Sequence, residues 1–458
     1  MSVQRLKQLG FVYDVCAGFQ FDLNTVLLPQ LDGFVEGHFC DHNCTRDVGN
    51  YDCPAAFTRN KNIIRGTTMS LEQLSMALEK AKAGLVEANN RFLEQSFDDY
   101  AQEYHVPHEV AAEIKTSLAQ GEVEVNLFGG NPELHPHFLD ILPVARRMGW
   151  KVTATTTGKK FLHDGEFYQR FVACPPDLLA CSADDFESVD ELKRLIDMDL
   201  ADLKKYWQKA NPLYGQRKKA YESVYLAKLT HSRDFCPLLF NIVVHPGNLR
   251  SIGEILSLLK THFPKALVNP YPAQASFEYS DVDWEEGDVP ILEEFVDLMI
   301  ERQIAQADGP ATDYVPRLPY WLALKSVFLT ATSRREIRSL LSGNGIWRCY
   351  SRAGSGRYLQ ASCASKTQAT TFSVGGHPGC FWNHETVTNG GQQLWDMDAD
   401  AIARHILIDK PVLAKRTGRP CPGCIMPRLM FDGVAIELGL DSRLLPAYLD
   451  LRNRYFHF

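Results

Sequence analysis

The strongest constraint on the fold is a regular alternation of strand-like and helix-like stretches from residue 122 onward. Residues 122–128 alternate, with Val123, Val125 and Leu127 on one face, the period-two pattern of a strand. Phe138, Leu139, Leu142 and Ala145 follow at helical spacing. Residues 151–156, 178–181, 238–244 and 266–270 then read as further strands, with helical segments between them. Strands separated by helices build a parallel sheet, because a parallel neighbour needs a long crossover connection.

Upstream of this pattern lies a cysteine-rich stretch. Cys40 and Cys44 are separated by three residues, and Cys53 follows after eight more. The apolar run at Phe34, Val35 and Phe39 reads as the first strand of the sheet, which puts the cysteines on the loop leaving it. Three thiolates suit a [4Fe–4S] cluster with one iron left open, since a closed cluster takes four ligands. An open metal position is the mark of a reactive centre rather than a structural one. Two other readings of the same residues stand beside this one: a structural zinc site completed by His42, and unrelated core thiols.

The strand at 122–128 runs straight into Gly129-Gly130-Asn131-Pro132-Glu133. Two glycines at a strand end let the backbone approach a ligand closely. In combination with the cysteine stretch this resembles the radical S-adenosylmethionine (SAM) superfamily. Its usual signatures are C-x3-C-x2-C after the first strand and Gly-Gly-Glu-Pro after the second. Here the last cysteine spacing is eight residues, and Asn131 stands where the family has Glu. Asn keeps an acceptor oxygen for an amine but lacks the charge.

The resemblance extends over residues 34 to about 280. It implies a partial (β/α)6 TIM-like barrel, a [4Fe–4S] cluster held by Cys40, Cys44 and Cys53, and SAM on its open iron. It implies that Gly129, Gly130, Asn131 and Pro132 form the loop facing the SAM amino group. Thr157-Gly158 stands where the family often has Thr-Asn-Gly. Ser182 matches the Ser that commonly meets SAM after the fourth strand. Asn241, a polar residue inside the apolar run 238–244, fits the family's fifth-strand pattern with Asn248 beyond it. A buried Asn needs a partner in any case, and a backbone or water partner is the alternative reading for Asn241. Ordinary strand-end turns are the alternative for Thr157 and Ser182.

The remaining segments are arranged around this core. Residues 1–33 read as a leader, with 23–30 a packing segment and Cys16 a buried thiol. Ser70 and Gln73 form a capping box ahead of a stripe at Leu71, Leu74, Leu78, Ala81 and Leu85. Val110, Ala111, Ile114 and Leu118 mark a second helix. The stretch between Asn89 and His105 exceeds what a strand–helix connection needs. It reads as part of a helical insertion at about 84–120, either a surface hairpin or a cover for a site or a subunit contact. Cys174 and Cys181 read as buried thiols. Residues 281–345 read as a helical bridge, with apolar spacing at Ile291, Leu292, Phe295, Val296 and Leu298.

Residues 346–458 carry Cys349, Cys363, Cys380, Cys421 and Cys424. The pattern from Cys363 through Gly375 to Cys380, then Cys421-Pro422-Gly423-Cys424, resembles the twitch domain, a short form of the SPASM domain found after several radical SAM barrels. Met430 stands where the longer form has its next cysteine. The resemblance implies a small C-terminal iron–sulfur domain with a second, auxiliary [4Fe–4S] cluster on Cys363, Cys380, Cys421 and Cys424. A four-cysteine zinc site is the alternative for the same residues.

Composition narrows the function classes. The chain of 458 residues has 45% apolar and 23% charged residues and a net charge of −8. That balance is ordinary for a globular enzyme and lacks the basic stripe of a nucleic-acid binder. No apolar run approaches a membrane span or a signal peptide. Twelve cysteines without an export signal point to metal ligation in the cytoplasm rather than disulfides. The expected activity is reductive cleavage of SAM to a 5′-deoxyadenosyl radical, which abstracts hydrogen from a small-molecule or peptide substrate. Electrons would come from a partner such as flavodoxin or ferredoxin. A zinc-stabilised barrel acting as a scaffold or binding protein is the alternative from another class.

Overall fold

A computed structural model describes residues 5, 9, 17–22, 25–30, 33–38, 70–95, 97–103, 108–119, 123–128, 132–183, 186, 188–209, 217–273, 284–307, 313–314, 317–341, 361–366, 369–373, 388–393, 397–404, 440 and 442–456. Its centre is a mixed α/β arrangement built on one parallel sheet. Six strands lie side by side in chain order: β1 (Ala17–Asp22), β4 (Val123–Phe128), β5 (Lys151–Thr156), β6 (Leu178–Ser182), β7 (Leu238–Val244) and β8 (Leu267–Pro272). Every pairing among them is parallel. This is the strand order of a partial (β/α)6 TIM-like barrel.

The sheet begins earlier than the sequence pattern suggests. Residues 17–22 are its first strand rather than part of a leader. The apolar run at Phe34 and Val35 belongs to β3 (Gly33–His38), which pairs antiparallel with β2 (Thr25–Gln30) in a separate hairpin. Both stretches satisfy strand propensity, and a short strand with one glycine gives a weak signal beside a longer apolar run. Only long-range pairing with β4 decides which one enters the sheet.

The strands show why each has two faces. Val123, Val125, Leu127, Val152, Ala154, Leu179, Cys181, Phe240, Ile242 and Val268 are all buried and belong to one core. Phe240 meets Phe263 at the end of the helix Ile252–His262, with ring centroids 6.0 Å apart. That contact identifies this face as the helix-covered one. Strand alternation puts the intervening residues on the other face, and these mix polar Glu124, Asn126, Thr153, Thr155, Ser182, Asn241 and Asn269 with apolar residues such as Ala180, Leu239 and Val243. A face of this kind inside a parallel sheet is unusual, since such strands are normally apolar on both sides.

The helices follow their sequence signals closely. Ser70 and Gln73 close the capping box reciprocally: the Ser70 N–H donates to Gln73 Oε1 at 2.9 Å and the Gln73 N–H to Ser70 Oγ at 3.2 Å. The helix Leu71–Gln95 buries Leu74, Leu78, Ala81 and Leu85. It continues through residue 89, so the stretch expected to be a surface excursion or a cover is partly core: Asn89 and Phe97 are buried. Helix Asp288–Gln306 buries Leu292, Phe295 and Val296, and Phe295 packs edge-on against Trp321 of helix Leu318–Thr330 at 5.6 Å. This segment is a packed part of the core rather than a bridge.

The described parts of the tail are also joined to the core. β9 (Ala361–Lys366) pairs parallel with β1, and β10 (Ala369–Ser373) and β11 (Thr388–Gln393) extend the sheet antiparallel. On helix Leu71–Gln95, Arg91 bonds both Glu87 and Asp400, the latter on helix Ala399–Arg404. The division expected at residue 346 is therefore crossed by the sheet itself. Among the described residues, no helix is long and apolar enough to cross a membrane.

Candidate functional site

The sequence places its candidate residues at the carboxyl ends of β4, β5 and β6 and in the middle of β7, and open parallel sheets bind ligands at the carboxyl end. Pro132 opens a 3-10 turn, Pro132–Leu134, directly after the loop that leaves β4. Gly129, Gly130 and Asn131 lie outside the described residues, as do Cys16, Cys40, Cys44, Cys53, Cys349, Cys380, Cys421 and Cys424. Cys363 lies on β9, its backbone in register with Phe21 of β1. Cys181 is buried and Cys174 half-buried, both as free thiols. Among the described residues, no group of three or more His, Cys, Asp or Glu is placed to hold a metal ion.

The turn after β4 is fastened to the end of β5 by a buried carboxylate. Glu133 is 1% exposed. Its Oε1 accepts from Thr156 Oγ1 at 3.0 Å and from Thr157 Oγ1 at 3.4 Å. Thr156 Oγ1 in turn accepts from the Gly158 N–H at 2.9 Å. Thr157 thus serves the Glu133 carboxylate and also receives the Lys159 N–H at 3.5 Å. Its hydroxyl is already engaged within the protein. Gly158 adopts φ +88, and a Cβ there would stand 2.9 Å from the Glu222 carbonyl oxygen. This explains the glycine after the paired threonines.

His135 follows the same turn and is 2% exposed. Its Nδ1 accepts from the His137 N–H at 3.1 Å, which places the proton of the neutral ring on Nε2. Burial pushes the imidazole down to about 4, with a smaller contribution from His137. His137 in turn pairs with Asp140, which also accepts from Arg170 at 2.6 Å.

Across β6, β7 and β8 the register aligns Ser182, Asn241 and Asn269 in one row. The partner that Asn241 finds in the chain is a side chain rather than backbone: its Oδ1 accepts from Asn269 Nδ2 at 2.8 Å. Both residues are buried, at 3% and 2% exposure. The outer atoms of this pair, Asn241 Nδ2 and Asn269 Oδ1, have no hydrogen-bond partner, nor does Thr155 Oγ1 on the same face of β5. Asn269 was not singled out in the sequence, although it sits in an apolar strand just as Asn241 does. Asn248 closes the turn after β7, accepting from the His245 N–H and donating to the Val243 carbonyl, both at 2.9 Å.

No family model and no curated protein matches the chain. Among solved structures it is similar to Streptococcus suis SuiB, with 12% identity over 90% of this chain and 70% of that one and a TM-score of 0.48. It is also similar to anSMEcpe with bound AdoMet, with 13% identity over 96% of both chains and a TM-score of 0.45. Archaeal TYW1 matches over 46% of this chain and 61% of its own, at 13% identity and a TM-score of 0.23. Likeness at this level carries no argument about chemistry.

Proposed function

We propose that this chain is a radical SAM enzyme, with a [4Fe–4S] cluster held by Cys40, Cys44 and Cys53 and SAM bound across the carboxyl ends of the parallel strands. One observation carries the reading: the row Ser182, Asn241 and Asn269, whose buried amides keep open hydrogen-bonding atoms on the face opposite the one marked by Phe240 and Phe263. Open polar atoms in a buried position are costly unless a polar ligand completes them. SAM, with its adenine, ribose hydroxyls and amino-acid end, has the donors and acceptors to do so. Three closely spaced thiolates supply the donor set of an iron–sulfur cluster.

Gly129 and Gly130 would bring backbone against the ligand, and Asn131 would offer its carbonyl oxygen to the SAM amino group. Glu133, Thr156 and Thr157 fasten the turn Pro132–Leu134, next in the chain, to the end of β5. Ser182 and Asn241 would contact the adenosyl part. When bound, cluster and SAM together supply reductive cleavage and a 5′-deoxyadenosyl radical that takes hydrogen from the substrate. The protein's part is to orient the reactants and exclude water.

In the same reading, Cys363, Cys380, Cys421 and Cys424 hold an auxiliary [4Fe–4S] cluster that assists oxidation or binding of a small molecule or peptide. A flavodoxin- or ferredoxin-type partner supplies the electron, and the enzyme works in the cytoplasm. Iron content tests the two-cluster assignment. Two such clusters amount to roughly eight iron per anaerobically reconstituted chain, and the Cys40→Ala, Cys44→Ala, Cys53→Ala variant is expected to keep roughly four. Full iron in that variant would remove the first site.

A further inference from the structure

We infer that Asn241 and Asn269 act together as a two-amide clamp for a planar group that carries a hydrogen-bond acceptor and a donor on neighbouring atoms, as an adenine edge or a carboxamide does. The argument starts from the bond between them. Asn269 Nδ2 donates to Asn241 Oδ1 at 2.8 Å, so each amide is held in one orientation by the other. What remains is one donor, Asn241 Nδ2, and one acceptor, Asn269 Oδ1, both buried and both open. Turning both amides over would exchange the two roles but still leave one of each.

A merely structural tie between β7 and β8 does not account for this arrangement. The two strands are already joined by a parallel ladder in register from Leu239 and Leu267 to Val244 and Pro272. Asn241 is the one polar residue of β7, Leu-Leu-Phe-Asn-Ile-Val-Val, all seven residues of which are buried. An apolar pair at these positions would join the strands without burying two open polar atoms. Both asparagines lie opposite the helix-covered face marked by Phe240 and Phe263. Both share a row with Ser182, and the open Thr155 hydroxyl lies on the same face.

An adenine ring presents an acceptor nitrogen beside its amino donor, and a single asparagine amide already reads that edge in pairs. A carboxamide presents the same acceptor and donor. The adenine source rests on the radical SAM reading, whereas the carboxamide source does not.

Two substitutions test the clamp. Asn241→Asp keeps an acceptor for Asn269 and replaces the outward donor by an acceptor. Asn269→Asp draws the Asn241 amino group to itself and leaves the Asn241 carbonyl facing outward. Both variants therefore present two acceptors, a pattern suited to the two adjacent donors of guanine. Affinities of the reconstituted full-length chain for adenosine, guanosine, N-acetylglycinamide and SAM are measured by calorimetry, with thermal melts to establish that both variants fold.

Adenine as the source predicts that both variants lose adenosine affinity at least tenfold and that the adenosine-to-guanosine ratio shifts toward guanosine. A carboxamide source predicts the tenfold loss for N-acetylglycinamide with adenosine unchanged. Unchanged affinities for both probes in two folded variants would overturn the clamp. SAM and iron content together separate this result from the wider reading. If parent and variants bind SAM equally, the clamp's adenine source fails and SAM does not lie on this row, whereas the cluster on Cys40, Cys44 and Cys53 is judged separately by iron content. If the parent binds no SAM, the radical SAM reading fails and the carboxamide arm decides the clamp alone.

Discussion

Thr156 Oγ1 donates to Glu133 Oε1 at 3.0 Å, and this bond links the turn after β4 to the last residue of β5. Glu133 follows Gly129, Gly130 and Asn131 by two residues in the chain, so the bond fixes the described turn next to that stretch. Glu133→Ala would leave the Thr156 and Thr157 hydroxyls without this acceptor in a buried setting. A loss of about 1–3 kcal/mol is expected in urea unfolding. SAM affinity is expected to fall as well. Glu133→Gln, which keeps an acceptor oxygen, is expected to recover much of both.

Gly158 and Gly165 make a matched pair. Gly158 lies at φ +88 and a Cβ on it would stand 2.9 Å from the Glu222 carbonyl oxygen, whereas nothing stands within 4 Å of a Cβ at Gly165. Left-handed backbone is strained for a residue with a side chain, and a backbone oxygen on a packed helix cannot give way cheaply. Gly158→Ala is expected to destabilise the fold by about 1–3 kcal/mol. Gly165→Ala, at the start of helix Gly165–Ala173, is expected to be neutral or to stabilise by about 0.5–1 kcal/mol. Parallel thermal melts of the two variants check the contrast.

His135 makes stability depend on pH in a defined window. Its folded-state value is depressed to about 4 from the ordinary 6.5 by burial. Above 6.5 both folded and unfolded forms are neutral and the contribution is complete. Below it the unfolded chain takes up a proton that the folded chain resists, so stability falls between pH 6.5 and 4. The loss amounts to roughly 3 kcal/mol at the low end of the window. Urea unfolding at pH 7 and pH 5 is expected to show a smaller pH-dependent loss for His135→Asn than for the parent. An unchanged slope would mean that other groups carry it.

The parallel core was legible because its strands are apolar on the helix-covered face and separated by amphipathic segments. The capping box at Ser70 and Gln73 was legible for a similarly local reason. What escaped was non-local. β1 at residues 17–22 is recognisable as the first strand only through its pairing with β4, and the apolar run at 34–35 competes with it on local preference. Asn241 was visible as a polar residue in an apolar strand. Its partner Asn269 was not, because the register between β7 and β8 is set by tertiary packing. Glu133 stands in the sequence four residues after Gly129 with nothing local to mark its role. That it would turn toward Thr156 depends on how the 3-10 turn meets β5.

The most direct test of the proposed activity is 5′-deoxyadenosine formation by the reduced, anaerobically reconstituted chain given SAM. The parent protein is expected to form it, slowly even without substrate, and the Cys40→Ala, Cys44→Ala, Cys53→Ala variant is expected to form none. A fully iron-loaded parent that makes no 5′-deoxyadenosine, or a triple variant that makes as much as the parent, would contradict the account.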